Sequence, residues 1–152
     1  MRVVVYAEGS REDSGSRVAL PLPGDALPEA ALGPAHVLVR RCLVELVPMS
    51  EVRFDVPLRT RGRRARGSDL LHGPTVRRLL TWATPMAKPD LAVVIVDADG
   101  EANRHVALRH ILSSRREPQP PAVIGVAVQE FEAWLIADEA ALRQHLGFAG
   151  DP

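Results

Sequence analysis

The run Leu91-Ala92-Val93-Val94-Ile95-Val96 is the most continuous apolar, β-branched stretch of the chain, and it stops at Asp97-Ala98-Asp99-Gly100. So short a run, closed by an acid-glycine turn, reads as a strand, because a buried helix needs about ten residues or more. A strand apolar at successive positions is covered on both faces, which is the habit of parallel sheets flanked by helices. Arg2 to Ala7 forms a second such run and ends in Glu8-Gly9, and Val123 to Val128 forms a third.

The segments between these runs supply the covering layers. Ser10 to about Pro34 is rich in Ser, Gly, Pro and acids and reads as a loop inserted after the first strand, with a helical turn near Leu27 to Leu32. His36 to Val47 carries Val37, Val39, Leu43, Val44 and Val47 at helical spacing. Glu51 to Leu58 sets Val52, Phe54 and Val56 against Arg53 and Asp55, the alternation of a half-exposed edge strand. Arg59 to Gly67 is a basic, glycine-containing loop, a second insertion. A helix then runs from Ser68 or Asp69 to about Ala83, its regular start delayed by Gly73-Pro74. Glu101 to Leu112 is helical by pattern and Ser113 to Pro121 is a loop. Glu130 to Leu146 closes the chain as an amphipathic helix with Trp134, Leu135, Ala141, Leu142 and Leu146 turned inward.

Strand and helix alternate four times. The expectation is an α/β fold in a single domain spanning residues 1–152, with a mainly parallel four-stranded sheet, helices on both faces and right-handed crossovers. At 46% hydrophobic and 25% charged residues the chain lies outside the disordered range. Its one cysteine, Cys42, forms no internal disulfide and suggests no metal-thiolate site, which points to a reducing cytoplasm. No apolar stretch reaches the roughly 18 residues a membrane span needs, and no charged leader precedes the first strand, so neither membrane insertion nor export is expected. Zero net charge argues against coating nucleic acid by bulk electrostatics, leaving only a local patch for that purpose.

In open parallel sheets, sites form beyond the C-terminal ends of the strands, where both acid groups lie. If the extended backbone persists through Ala98, Asp97 and Asp99 project to the same side and converge on one cation. Carboxylates gathered in a partly buried place repel one another, and a hard divalent cation such as magnesium or manganese compensates them. Such an ion would orient a phosphodiester and activate water, with Asp97 and Asp99 as ligands and Glu8 moving the proton. Glu12 and Asp13 are candidates for a second ion or are solvated loop acids. Glu130, opening the last helix, is either a third metal-facing acid, better placed than Glu132, or a carboxylate set against the helix dipole. The plain alternative for Asp97 and Asp99 is an ordinary turn.

Arg59, Arg61, Arg63, Arg64 and Arg66 lie in one loop near Arg53 and could grip a phosphate backbone beside the metal. They could equally be a solvated loop in an arginine-rich composition, since Lys88 is the only lysine. His105 and His110 are poorly spaced for joint ligation, and His36, His72 and His145 are isolated, so all five read as packed or surface residues. No Walker-type loop, serine elbow or Cys/His dyad can be assembled.

Glu8-Gly9 with Glu12-Asp13, and Asp97-Ala98-Asp99, resemble the Toprim signature of topoisomerases, primases and overcoming-lysogenisation-defect nucleases, in which a first strand ends in Glu-Gly and a later one in Asp-x-Asp. The segment Glu132-Ala133-Trp134-Leu135-Ile136-Ala137-Asp138 is similar to the Glu-Ala-Trp-Leu-x-Ala-Asp segment of a Toprim-like family, domain of unknown function 4276. Together these matches run from Tyr6 to Asp138. The resemblance implies a Toprim-like fold, metal-dependent cleavage of nucleic acid, and a role in phage-defence or mobile-element cassettes with an ATPase partner. Two departures stand beside it: the wide separation of Glu8 from Asp97, and an end at Asp151-Pro152 where family members continue, which reads as either a short member or a trimmed C-terminus. The rival expectations are a catalytically inactive, Toprim-derived module that docks on a partner, and a receiver-like or hydrolase-like domain, which lacks its usual late lysine.

Overall fold

The computed structural model describes residues 1–9, 21–48, 51–60, 62–65, 67–86, 88–101, 103–113 and 119–127. In chain order the elements are β1 (Arg2–Ala7), α1 (Pro34–Leu43), β2 (Arg53–Asp55), β3 (Arg59–Thr60), β4 (Arg63–Arg64), α2 (Ser68–Leu71), α3 (Gly73–Met86), β5 (Leu91–Asp97), α4 (Arg104–Ser113) and β6 (Ala122–Ala127). A short 3-10 turn, Glu29–Ala31, precedes α1. The expected closing helix from Glu130 lies outside the described residues.

Four strands form one sheet in the order β2-β1-β5-β6, and every pairing is parallel. Alternation along β1 divides its side chains between two cores. Val3, Val5 and Ala7 pack with Ala31, Ala35, Val39, Leu43 and Phe54 on the α1 side. Val4 and Tyr6 pack with Leu70, Val76, Leu79, Leu80, Val94, Val96 and Leu108 on the side of α2, α3 and α4. The expected α/β architecture, a mainly parallel four-stranded sheet with helices on both faces, is therefore present. Full burial of a Val or Leu side chain contributes about 1.5–3 kcal/mol, so the central strands carry much of the stability.

Several local readings shift. The helix expected from His36 starts at Pro34, where the fixed φ of proline suits a first helical position. Its buried face is Ala35, His36, Val39 and Leu43, which leaves Val37 and Val44 exposed. The basic loop contains a small antiparallel ribbon, with Arg59 opposite Arg64 and Thr60 opposite Arg63, and Gly62 supplies a left-handed φ of 77° at its tip. The helix after it is broken at His72 into α2 and α3.

The edge strand β2 is shorter than expected and less exposed. Residues 24–27 run beside it: the Leu27 amide donates to Phe54 O at 2.7 Å and the Val56 amide to Asp25 O at 2.8 Å. Such a cover protects unpaired strand edges. Asp55, expected on a solvent-facing side, is fully buried, because Arg2 and Arg53 close over it at 2.8 Å each.

His36 is also buried. Its Nδ1 accepts a hydrogen bond from the Gly33 amide at 3.1 Å, its ring stands edge-on to Phe54 at 5.1 Å between centroids, and its Nε2 has no partner. Burial, with the Arg64 and Arg40 charges, pushes the imidazole down to about 4 from 6.5. A depressed histidine favours the folded state fully above the unfolded value and loses that contribution as pH falls towards the folded one. Urea unfolding is therefore expected to show wild type losing up to about 3 kcal/mol more than His36→Gln between pH 7 and pH 4. Parallel curves for the two proteins would refute the assignment.

Candidate metal centre

The strand order places the acids. The chain runs outward from β1 to β2, then crosses back over β1 to β5 and on to β6. Connections leaving the C-terminal ends of β1 and β5 therefore diverge, with α1 on one face and α4 on the other. Ligands of open α/β sheets bind in the crevice that opens at such a switch point. Glu8 follows β1 and Asp97 ends β5, so both border this crevice.

Pairing of the two strands fixes them closely. Ala7 lies opposite Ile95, and the Glu8 amide donates to Ile95 O at 3.1 Å. The Glu8 carboxylate then turns across the gap, and its Oε2 accepts the Asp97 amide at 2.9 Å. The β5 ladder continues one residue further, through the Ala98 amide to Ala127 O at 2.8 Å. At Asp99 the backbone turns left-handed, with φ 46° there and 76° at Gly100, and Glu101 N closes on Ala98 O at 2.8 Å. Two positive φ values in a row are the mark of a primed turn, which Asp-Gly favours. Asp99 thus reaches the crevice by this turn and not by the two-residue period of an extended strand.

Arg104, the first residue of α4, closes the group. Its Nη1 donates to Asp99 Oδ2 at 2.9 Å and also to the Asp97 carbonyl, while its Nε lies 3.5 Å from Glu101 Oε2. Sequence reasoning passed over this arginine. The available signal was a cation opening a helix, where the dipole disfavours it unless acids compensate.

Electrostatics follow from these distances. Burial raises the Glu8 carboxyl above its ordinary range, the Asp97 amide opposes the rise, the Asp99 and Asp97 charges add to it, and Arg104 opposes it again. Among the described residues, no group of three or more His, Cys, Asp and Glu side chains forms a ready-made cage. Glu8 is engaged by an amide and Asp99 by a guanidinium. The donors are nonetheless all oxygen, comprising carboxylates and the Asp97 carbonyl, and they already attract one positive group. That chemistry fits a hard divalent cation.

The basic ribbon adjoins the same edge, since the Gly67 amide donates to Glu8 O at 2.8 Å. Arg59 and Arg63 are exposed and Arg64 partly so, and Arg63 pairs with Asp69 at 2.9 Å. Arg61, Arg66, Glu12, Asp13, Glu130 and Glu132 lie outside the described residues. Comparison with protein-family models, with curated proteins and with solved structures finds no match to this chain.

A carboxyl raised on folding contributes stability below its unfolded value and loses it as pH rises through the folded one. Glu8→Gln keeps an acceptor for the Asp97 amide and removes the partly buried charge. In metal-free buffer at pH 7 it is expected to melt higher than wild type, and the gain should vanish near pH 4. A lower melting temperature at pH 7 would show that the charge stabilises the edge.

Proposed function

We propose that this chain is a Toprim-type, metal-dependent phosphodiester hydrolase acting on nucleic acid. The observation that supports it most is the Glu8 carboxylate on the Asp97 amide at the β1/β5 switch point, within range of the Asp97 and Asp99 charges and next to the arginine ribbon. Asp97 and Asp99 would hold magnesium or manganese. Such an ion orients the phosphodiester and stabilises the charge that grows on its oxygens. Glu8, whose proton affinity burial has raised, is suited to hold a proton and pass it on during the displacement. Arg59, Arg63 and Arg64 would take the flanking phosphates as charge-assisted forks.

In this reading the protein works in the cytoplasm, within a phage-defence or mobile-element system controlled by an ATPase partner, as the Toprim resemblance implies. Among the described residues, no helix is long and apolar enough to cross a membrane.

A second reading is favoured by one feature: Arg104 and the Asp97 amide satisfy Asp99 and Glu8 without a metal. A Toprim-derived module that docks on a partner protein without cutting would keep its acids in that state.

Manganese-dependent cleavage of plasmid DNA and of RNA separates the two. Wild type is expected to cut, Glu8→Gln to lose about 10²–10⁴-fold in rate, and Asp97→Ala to lose all detectable cleavage. Silence of wild type with both substrates favours the docking module. For binding, Arg59→Ala should weaken affinity evenly across sequences and lower the salt slope by about one. An unchanged slope would remove the ribbon from the interface.

A further inference from the structure

Arg104 is more deeply enclosed than the acids it serves. Its side chain is 11% exposed, against 55% for Asp99 and 70% for Glu101. An arginine serving only as a surface ion pair would keep its head in water, because such pairs contribute little and long side chains lose entropy when held. Here the guanidinium has turned back towards the sheet, and one nitrogen bridges the Asp97 carbonyl and the Asp99 carboxylate. It does so from the first residue of α4, where the helix dipole opposes a positive charge. The arrangement is explained by the negative charge around it, from Asp99, Glu101 and, at longer range, Glu8.

We infer that Arg104 is the resident counter-ion of the acidic edge, and that it competes with a divalent cation for Asp99 and the Asp97 carbonyl. This rests on the metal-centre reading above. Both oxygens that the guanidinium engages are donors of the kind a hard cation takes, so the two occupancies exclude each other at those atoms. Two consequences follow. The acids are held together without metal, which preorganises the edge. A bound ion would free the guanidinium, a bidentate fork suited to a phosphodiester oxygen.

Competition implies reciprocity: whatever weakens Arg104's hold on Asp99 must tighten metal binding by the same factor. Manganese affinity can be read from the electron paramagnetic resonance signal of the free ion, without any cleavage assay. Arg104→Gln retains a donor for the Asp97 carbonyl and removes the charge. It is expected to bind manganese at least about tenfold more tightly than wild type, and Arg104→Lys should lie close to wild type. Affinity equal to or below that of wild type, in an Arg104→Gln protein with an unchanged circular dichroism spectrum, would overturn the proposal and make the arginine a brace.

Wild type supplies a measurement that does not depend on the variant folding. On magnesium titration, the Arg104 Nε–H resonance, assigned from Arg104→Lys, should move in step with the Asp99 amide. A stationary Nε–H beside a moving Asp99 amide contradicts competition while leaving the metal centre intact. If no ion binds to wild type or to Arg104→Gln, the metal-centre reading itself fails and the competition fails with it.

Discussion

Parallel pairing of β1 with β5 is the constraint from which the rest of the molecule follows. Their register sets Val3 opposite Leu91 and Ala7 opposite Ile95, so β5 runs on past the end of β1 to Asp97, whose amide the Glu8 carboxylate reaches. Because that register is a ladder of backbone bonds, moving it by one residue would exchange the faces of every side chain on one strand. Val4 and Tyr6 would leave the core they share with Val94 and Val96, and Val3 and Val5 would leave α1. Two apolar cores therefore hold one register, and the register holds Glu8 against the Asp97 amide. The chemistry of the edge depends on packing several residues away from it.

The same constraint explains why acids are tolerated at this place. A parallel sheet buried on both faces leaves the backbone groups of its inner strands available beyond the strand ends. Glu8 finds the Asp97 amide there, and Arg104 finds the Asp97 carbonyl. The acidic edge is organised by backbone groups of a rigid element, with side-chain charge added to it. A site of this kind keeps its shape when its charges change.

Much of this was legible in the residues, and the boundary has physical causes. Strands β1 and β5 announce themselves because burial on both faces forces uninterrupted apolar runs, β6 carries such a run although among the described residues it lies at the sheet edge with Val123 exposed, and Asp97-Ala98-Asp99-Gly100 announces the turn that stops β5. Strand order is a long-range property, carried by no local pattern, so the switch point between Glu8 and Asp97 emerged only with the fold. Asp55 misled for a related reason. Alternation showed that it faces away from Phe54, but its burial depends on Arg2 and on the segment around Gly24, both distant in sequence. The arginine loop resembled open coil because two-residue strands carry almost no period. Arg104 escaped because one arginine in a chain whose bases are nearly all arginine gives no contrast.

Asp55 and Asp99 are both paired with arginine, and only one of them is suited to exchange. Asp55 is fully buried between Arg2 and Arg53, and Arg2 is tied also to Gly24 O at 3.1 Å. Removing both arginines would strand a charge inside the protein, at about 3–5 kcal/mol, so that pairing is a fixture of the fold. Asp99 keeps more than half its surface in water, so solvent screens it whenever Arg104 moves away. Its left-handed backbone is held by the turn to Glu101 and not by the guanidinium. An acid whose position is set by backbone and whose charge is shared with solvent can change cations at little structural cost. Of the two pairs, only the one at the strand ends meets both conditions, and it is the one that borders the crevice.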